Sequence, residues 1–388
     1  MKVKENFMAD YLSKFITVCF TVESGGEKTK IGSGEPLFNV KINNPLKKSE
    51  LLTSTSLALG EAYMRGDIEL DKDLYYVLNL FLGNMSNFST DESALRHIIK
   101  TSVSKVNQKK EVSSHYDIGN DFYKIWLDKS MTYSCAYFKD DSKTLDEAQE
   151  DKLDHILSKL QLKEGMTLLD IGCGWGALLL RAAKKYRIKG CGITLSSEQE
   201  RGFSEKIKAE GLEDLLTVKI MDYRDLPDSG MKFDRAVSVG MLEHVGRKNY
   251  SLFLKSVHSV LNDGGLFLLH FISALKEYPG DAWIKKYIFP GGMIPSLREI
   301  VSLLPDYDFY TLDIESLRRH YNRTLICWRN NFNDHRDEIE NMMGIKFTRM
   351  WDLYLASCAA TFNNGIIDLH QILLSKGVNN DLPMLRTV

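Results

Sequence analysis

The chain has 388 residues, 44% of them hydrophobic and 26% charged, with 8 prolines and a formal net charge of -2. That length predicts two globular units with a sizeable core, and the composition excludes disordered and collagen-like classes. The near-neutral balance argues against a nucleic-acid partner, and no run reaches the roughly 20 uncharged apolar residues of a membrane-spanning helix.

At the start, "MKVKENFMADYLSKFITVCF" is interrupted by Glu5, Asp10 and Lys14, so no export signal forms. The first hundred residues alternate: "FITVCFTVE" and "LFNVKI" read as strands and "SELLTSTSLALGEAYMRGD" as one helix. They predict a small α/β domain over residues 1–95. Residues 96–113 read as a solvated linker, with Lys100, Lys105, Lys109 and Lys110 among Ser, Asn and Gln. A contact with anionic lipid is the alternative reading of those lysines.

Residues 114–138, "SHYDIGNDFYKIWLDKSMTYSCAYF", concentrate aromatics ahead of a glycine loop. Either Tyr116, Phe122, Tyr123, Trp126, Tyr133, Tyr137 and Phe138 are core packing, or the segment is a lid over a ligand. From about residue 145 helices alternate with the strands "TLLDIG", "KGCGITL", "LTVKIMD", "FDRAVSV" and "LFLLHFI". Short strands separated by helices predict βαβ units on a largely parallel sheet, with ligands at the carboxyl ends of its strands. The six scattered cysteines (Cys19, Cys135, Cys173, Cys191, Cys327 and Cys358) lack zinc-site spacing and read as reduced thiols. No metal site is expected.

"LLDIGCGWGALLLRAA" sets Gly172, Gly174 and Gly176 between a strand ending at Asp170 and a helix beginning near Ala177. The G-x-G-x-G spacing lacks the third glycine of the dinucleotide form, and Trp175 fills room a pyrophosphate needs. Asp170 supplies an acidic group for a cationic or amino-acid-bearing ligand. The D-x-G-x-G-x-G pattern resembles the first motif of S-adenosylmethionine-dependent methyltransferases. The second strand ends in Thr194, Leu195, Ser196 and Gln199, without the usual ribose-binding acid.

Taken in order, "HYDIGNDFYKIWLDKSMTYSCAYF", "GITLSSEQ", "DYRDL", "FDRAVSVGMLEHVGRKNY", "WIKKYIFPGGMIPS" and "HYNRTLICW" closely resemble the cyclopropane-fatty-acyl-phospholipid synthases over roughly residues 50 to 375. The resemblance implies a Rossmann-like α/β methyltransferase fold, with a mostly parallel seven-stranded sheet, a small N-terminal α/β domain and a catalytic domain over 114–388 that begins with the lid. His115 is then lid structure. It implies methylene transfer from S-adenosylmethionine to the cis double bond of an unsaturated phospholipid. The rival is a lipid or small-amine methyltransferase without ring closure, and a rival of another class is a non-catalytic lipid-binding scaffold.

By that resemblance Tyr133, Ser134, Asp170, Gly172, Gly174, Thr194, Leu195 and Gln199 touch the cofactor, while Asp222 and Tyr223 reach its adenine side. Tyr223 reads equally as packing. The general base is implied to be a bound bicarbonate held by Cys135, Glu243, His270, the backbone of Ile272, and Tyr321. His244 reads as loop support pointing away from Glu243 if the segment is extended. A homodimer is also implied, in the cytoplasm and peripherally associated with the inner face of the membrane. Residues 281–300 are expected to supply exposed apolar surface (Trp283, Ile284, Tyr287, Ile288, Phe289, Met293, Ile294) beside Lys285 and Lys286 for docking on lipid.

Overall fold

The computed structural model describes residues 18–83 and 118–385; the linker lysines, His115, Tyr116 and the acidic breaks at Glu5 and Asp10 lie outside them. By contact the chain divides into two compact units. One comprises Met1–Thr101, Pro279–Pro290 and Leu325–Ile366, the other Ser102–Tyr278, Gly291–Thr324 and Ile367–Val388.

In the first unit β1 (Phe20–Ser24), β2 (Glu27–Ile31), β3 (Asn39–Ile42) and β4 (Ile68–Leu70) form a sheet in the order β2-β1-β3-β4. Alternate apolar positions Phe20, Val22, Val40 and Ile42 turn inward against Ala58, Ala62 and Val77, and the Phe20 and Phe38 rings stack at 5.0 Å. The single helix expected over 49–67 is two, Lys48–Thr53 and Thr55–Arg65. Ser54 is extended (φ -159) and its side chain accepts from Leu57 N at 3.4 Å, so it ends one helix and caps the next.

Residues 281–290 of the segment expected to expose apolar surface lie in this unit, and the segment's apolar residues are less exposed than expected. Trp283 and Ile288 are buried, and Trp283 lies so close to Gly60 that a Cβ there would sit 2.4 Å from the indole. Lys286 pairs with Glu61 at 2.6 Å, and Lys285 donates to the Pro279 carbonyl. Ile284, Tyr287, Phe289, Met293 and Ile294 are only partly exposed. Short apolar stretches next to lysines read as surface in one dimension; here Trp283 and Ile288 are core and the other five are half-buried.

The second unit carries a seven-stranded sheet in the order β10-β11-β9-β8-β5-β6-β7. Its strands are β5 (Thr167–Ile171), β6 (Lys189–Thr194), β7 (Leu216–Ile220), β8 (Phe233–Val239), β9 (Leu261–Ala274), β10 (Phe309–Ser316) and β11 (Ile367–Lys376). β7, β6, β5, β8 and β9 run parallel to one another; β11 is antiparallel to both β9 and β10. This is the expected mostly parallel α/β sheet. The unbroken apolar run Leu266–Leu269 is wholly buried because the middle strands are covered on both faces. Strand order reverses beside β5, whose neighbours are β6 and β8, which puts the ligand-binding crevice at the carboxyl end of β5.

Candidate active site

Immediately after β5 the chain turns sharply. Gly172 N and Cys173 N both donate to Ile193 O (2.9 and 3.1 Å), and helix Ala177–Tyr186 starts from Gly176. Gly176 (φ +84) lies against Phe203, whose ring a Cβ would meet at 2.1 Å, so this glycine packs helix to helix. Gly174 (φ +55) has nothing within 4 Å of a would-be Cβ; it faces open space.

That space is a cavity of about 160 Å³, and all ten residues expected to meet the cofactor line it: Tyr133, Ser134, Asp170, Gly172, Gly174, Thr194, Leu195, Gln199, Asp222 and Tyr223. Thr194 Oγ1 donates to Gln199 Oε1 at 2.7 Å and accepts from Ser196 N at 3.2 Å, while Ser196 caps helix Ser197–Ala209. Neutral groups thus hold one another where an acid is usual. Asp222 is already engaged: Arg224 donates to it from N, Nε and Nη2 at 2.9, 2.8 and 2.6 Å. Tyr223 borders the cavity, packs edge-on against Phe253 at 5.3 Å, and is raised by burial to about 12. It is packing residue and wall at once.

Sequence reasoning missed several wall residues. Lys152, on helix Leu145–Lys159, donates to Ser134 Oγ at 2.9 Å; burial lowers it to about 8. Asp170 is raised by burial to about 7, against the pull of Lys152. Trp175 lines the cavity and donates to Asn120 Oδ1 at 3.1 Å. His244 also lines it, lowered by burial to about 4 and therefore neutral. Loop support is expected of it on the premise of extended backbone, but Leu242–His244 is a 3-10 turn, in which neighbours do not simply alternate.

Most of the aromatic segment is core packing, and Tyr133 also lines the cavity. Phe122, Tyr123 and Trp126, on helix Asn120–Trp126, are fully buried. Tyr133 bridges core and cavity, 5.5 Å from Tyr123 and 5.3 Å from Trp126 between ring centroids. Tyr137 is sandwiched between His155 (4.1 Å) and His320 (4.6 Å), and Phe138 lies under the Arg323 guanidinium at 4.2 Å.

None of the five residues expected around the base lines the cavity itself, although Cys135 follows the lining residue Ser134 and Glu243 precedes the lining residue His244. Glu243 Oε1 accepts from Ile272 N at 2.6 Å, so that backbone donor is taken by the carboxyl. Burial raises Glu243 to about 7, and its Oε2 has no protein partner. His270, opposite Val239 in the β8–β9 register, is held neutral by burial, and its Nε2 is buried without a protein partner. On β11, Leu369 pairs with Ile272 and accepts from Leu317 N at 2.8 Å; Leu317 O in turn accepts from Tyr321 N at 3.0 Å and lies 4.0 Å from Cys135 Sγ. Backbone adjacency thus draws Cys135, Ile272 and Tyr321 together. Burial pushes the Cys135 thiol far up, so it acts as a thiol rather than a thiolate. Among the described residues no cluster suited to a metal ion exists.

Comparisons with known proteins bear on the family and the fold. Residues 103–372 match the mycolic acid cyclopropane synthetase family, and residues 7–93 match a domain of unknown function. Cyclopropane-fatty-acyl-phospholipid synthase of Escherichia coli K12 is 39% identical over 360 residues, covering 91% of this chain and 92% of that protein. A probable fatty acid methyltransferase of Pseudomonas putida is 39% identical over 361 residues, covering 90% and 91%. The structure of mycolic acid cyclopropane synthase CmaA1 complexed with SAH and CTAB superposes with a TM-score of 0.65 at 33% identity, covering 69% of this chain and 98% of that one. The chain belongs to the mycolic acid cyclopropane synthetase family of S-adenosylmethionine-dependent methyltransferases.

Proposed function

We propose that this enzyme transfers a methylene group from S-adenosylmethionine to the cis double bond of an unsaturated phospholipid acyl chain, with a bound bicarbonate as general base. The observation that carries the base is the pair of orphaned polar atoms, Glu243 Oε2 and His270 Nε2, both buried and without a protein partner. Buried polar atoms are rarely left so, and a small acid-anion accepting from one and sharing a proton with the other would satisfy both. The open space in front of Gly174 and the acid at Asp170 suit the cofactor.

Bound S-adenosylmethionine would supply an electrophilic methyl and bound bicarbonate the base that removes a proton from the transferred carbon. An alkene is a poor nucleophile, so the chain's own task is to align it and keep water from the cation that forms before the ring closes. Tyr133 and Trp175 border the cavity, and aromatic rings carry a negative potential on their faces that favours a nearby cation. Glu243, titrating near neutrality, can hold or release the one proton that must lie between two acidic groups. Cys135 and Tyr321 complete the polar surround.

The reading includes a homodimer in the cytoplasm, peripherally associated with the inner face of the membrane, where the acyl chains are. Among the described residues no helix is long and apolar enough to cross a membrane. A second reading, methylation of the acyl chain without ring closure, draws on the Pseudomonas putida relative named a probable fatty acid methyltransferase. Purified enzyme incubated with S-adenosylmethionine and unsaturated phospholipid vesicles separates them. Acyl chains that gain one CH₂ and lose the double bond to a ring support the first; a methyl-branched product supports the second; unaltered lipid sinks both.

A further inference from the structure

His270 is neutral and fully buried, and a neutral imidazole donates from only one of its two nitrogens. Which nitrogen carries the proton decides whether the group donates to the reaction centre or accepts from it. The surrounding residues fix the answer.

Gln371 on β11 stands directly opposite His270 on β9 in the antiparallel register, so their side chains share a face of the sheet. Its Nε2 lies 3.2 Å from His270 Nδ1. An amide can be turned end for end, so this contact alone does not say which partner donates. The far end of the amide does. Gln371 Oε1 is 2.9 Å from Lys159 Nζ, an ammonium with donors and no acceptor, so the oxygen must face the lysine. The NH₂ must then face His270, Nδ1 must accept, and the proton is left on Nε2. Lys159 is itself anchored: it is almost wholly buried, bonded to Glu315 and 3.5 Å from Asp313. Burial would raise Glu315, but its bonds to His155 and Lys159 hold it down at about 2, so it stays a carboxylate. His155 Nε2 reaches the same Glu315 oxygen at 2.6 Å. Because Gln371 is fully buried, no water competes for either end of its amide.

We infer that Lys159 and Gln371 are positioning residues that lock His270 in the Nε2–H tautomer, so that its unpartnered Nε2 acts as a hydrogen-bond donor to an acceptor at the reaction centre. The functional half of this statement rests on the proposed role of His270; the tautomer does not. A donor at Nε2 favours an anionic acceptor over a neutral one. It helps retain the base between turnovers and cannot itself take the proton that the transferred carbon gives up. Proton transfer is then left to the bound base and Glu243.

The test uses the full chain labelled with ¹⁵N-histidine; nine histidines make a readable spectrum, and His270→Gln identifies the resonance. Long-range ¹H–¹⁵N correlation at neutral pH is expected to show His270 with Nε2 protonated and Nδ1 as acceptor. Gln371→Glu keeps an acceptor for Lys159 but sets a carboxylate against Nδ1. It is expected to move the proton to Nδ1, lower kcat by tenfold or more, and leave cofactor affinity within twofold by calorimetry. Gln371→Leu is expected to give a mixture of tautomers. Wild-type His270 protonated on Nδ1 overturns the inference, as does a Gln371→Glu enzyme whose tautomer is unchanged. A proton moved to Nδ1 at undiminished kcat overturns the functional half. Full wild-type turnover in carbonate-free buffer, with the Nε2–H tautomer observed, counts instead against the bound bicarbonate and leaves the lock standing.

Discussion

Lys152 Nζ donates to Ser134 Oγ across 2.9 Å with the lysine only 2% exposed, tying helix Leu145–Lys159 to the aromatic segment at the edge of the cofactor cavity. Its charge opposes the burial that raises Asp170 to about 7. Asp170 is therefore mostly protonated below about pH 7 and ionised above it. If the ionised form meets the cofactor's amino group, affinity should rise several-fold between about pH 6 and about pH 7.5, a tenth of the carboxyls being ionised one unit below the pKa. Lys152→Met should move that rise to higher pH and weaken binding near neutrality by about tenfold. Calorimetry across this range checks both; a flat profile shared by wild type and variant refutes them.

Gly174 and Gly176 predict opposite phenotypes. Gly174→Ala places a methyl in open space at φ +55, costing about 1 kcal/mol of backbone strain, and should fold while losing cofactor affinity by tenfold or more. Gly176→Ala drives a methyl into the buried Phe203 ring and should lower Tm markedly. Thermal denaturation and calorimetry on the pair check this. Normal cofactor affinity in a folded Gly174→Ala protein would remove the loop from the cofactor site.

Glu243→Gln retains an oxygen for Ile272 N but cannot exchange a proton near neutrality. It should lower kcat by about a hundredfold with little change in cofactor affinity, as expected for a group acting in the transition state. Stability supplies an independent check. Burial raises the folded pKa of Glu243 from 4.5 to about 7, so its favourable contribution is complete below about pH 4.5 and is lost as pH rises through about 7. Between those limits wild type should lose about 3 kcal/mol relative to Glu243→Gln. Denaturant titration at about pH 5 and about pH 8 measures it, and a constant difference would show that the carboxyl is not buried as described.

β5 to β9 were legible because each contains an apolar run between turn residues, and the glycine loop announces itself; β10 and β11 were not, since "FYTLDIES" is mostly exposed and β11 is set by pairing with β9 and β10. β2 was not: "EKTKI" exposes four of its five residues and is held by pairing with β1, which no local pattern records. The break at Ser54 was hidden by good helix formers on both sides. Lys152 and Lys159 look like the solvated face of a charged helix in "EAQEDKLDHILSK"; only the fold brings Ser134, Glu315 and Gln371 to them. Glu243 and His270 were found through motif resemblance, yet their unpaired atoms and their separation from the cavity lining are properties of the folded chain alone.

Lys286 is committed to Glu61, which also accepts from Tyr287 Oη at 2.8 Å. Lys286→Glu should therefore lower Tm by a few degrees through repulsion with Glu61 and leave partition onto anionic vesicles within twofold. Scanning calorimetry and vesicle flotation check the two outcomes. A large loss of flotation with unchanged Tm would restore the lysine as a lipid contact.

β11 lies between β9 and β10, both of which precede it in the sequence, and β10 has no other neighbour in the sheet. The sheet therefore cannot assemble in the order in which the ribosome makes it. While residues 367–376 are still unmade, β10 has no strand to pair with and His270 faces no Gln371. The glycine loop and its flanking strands are all made before these residues, so the partner of His270 Nδ1 is among the last parts of the sheet to arrive.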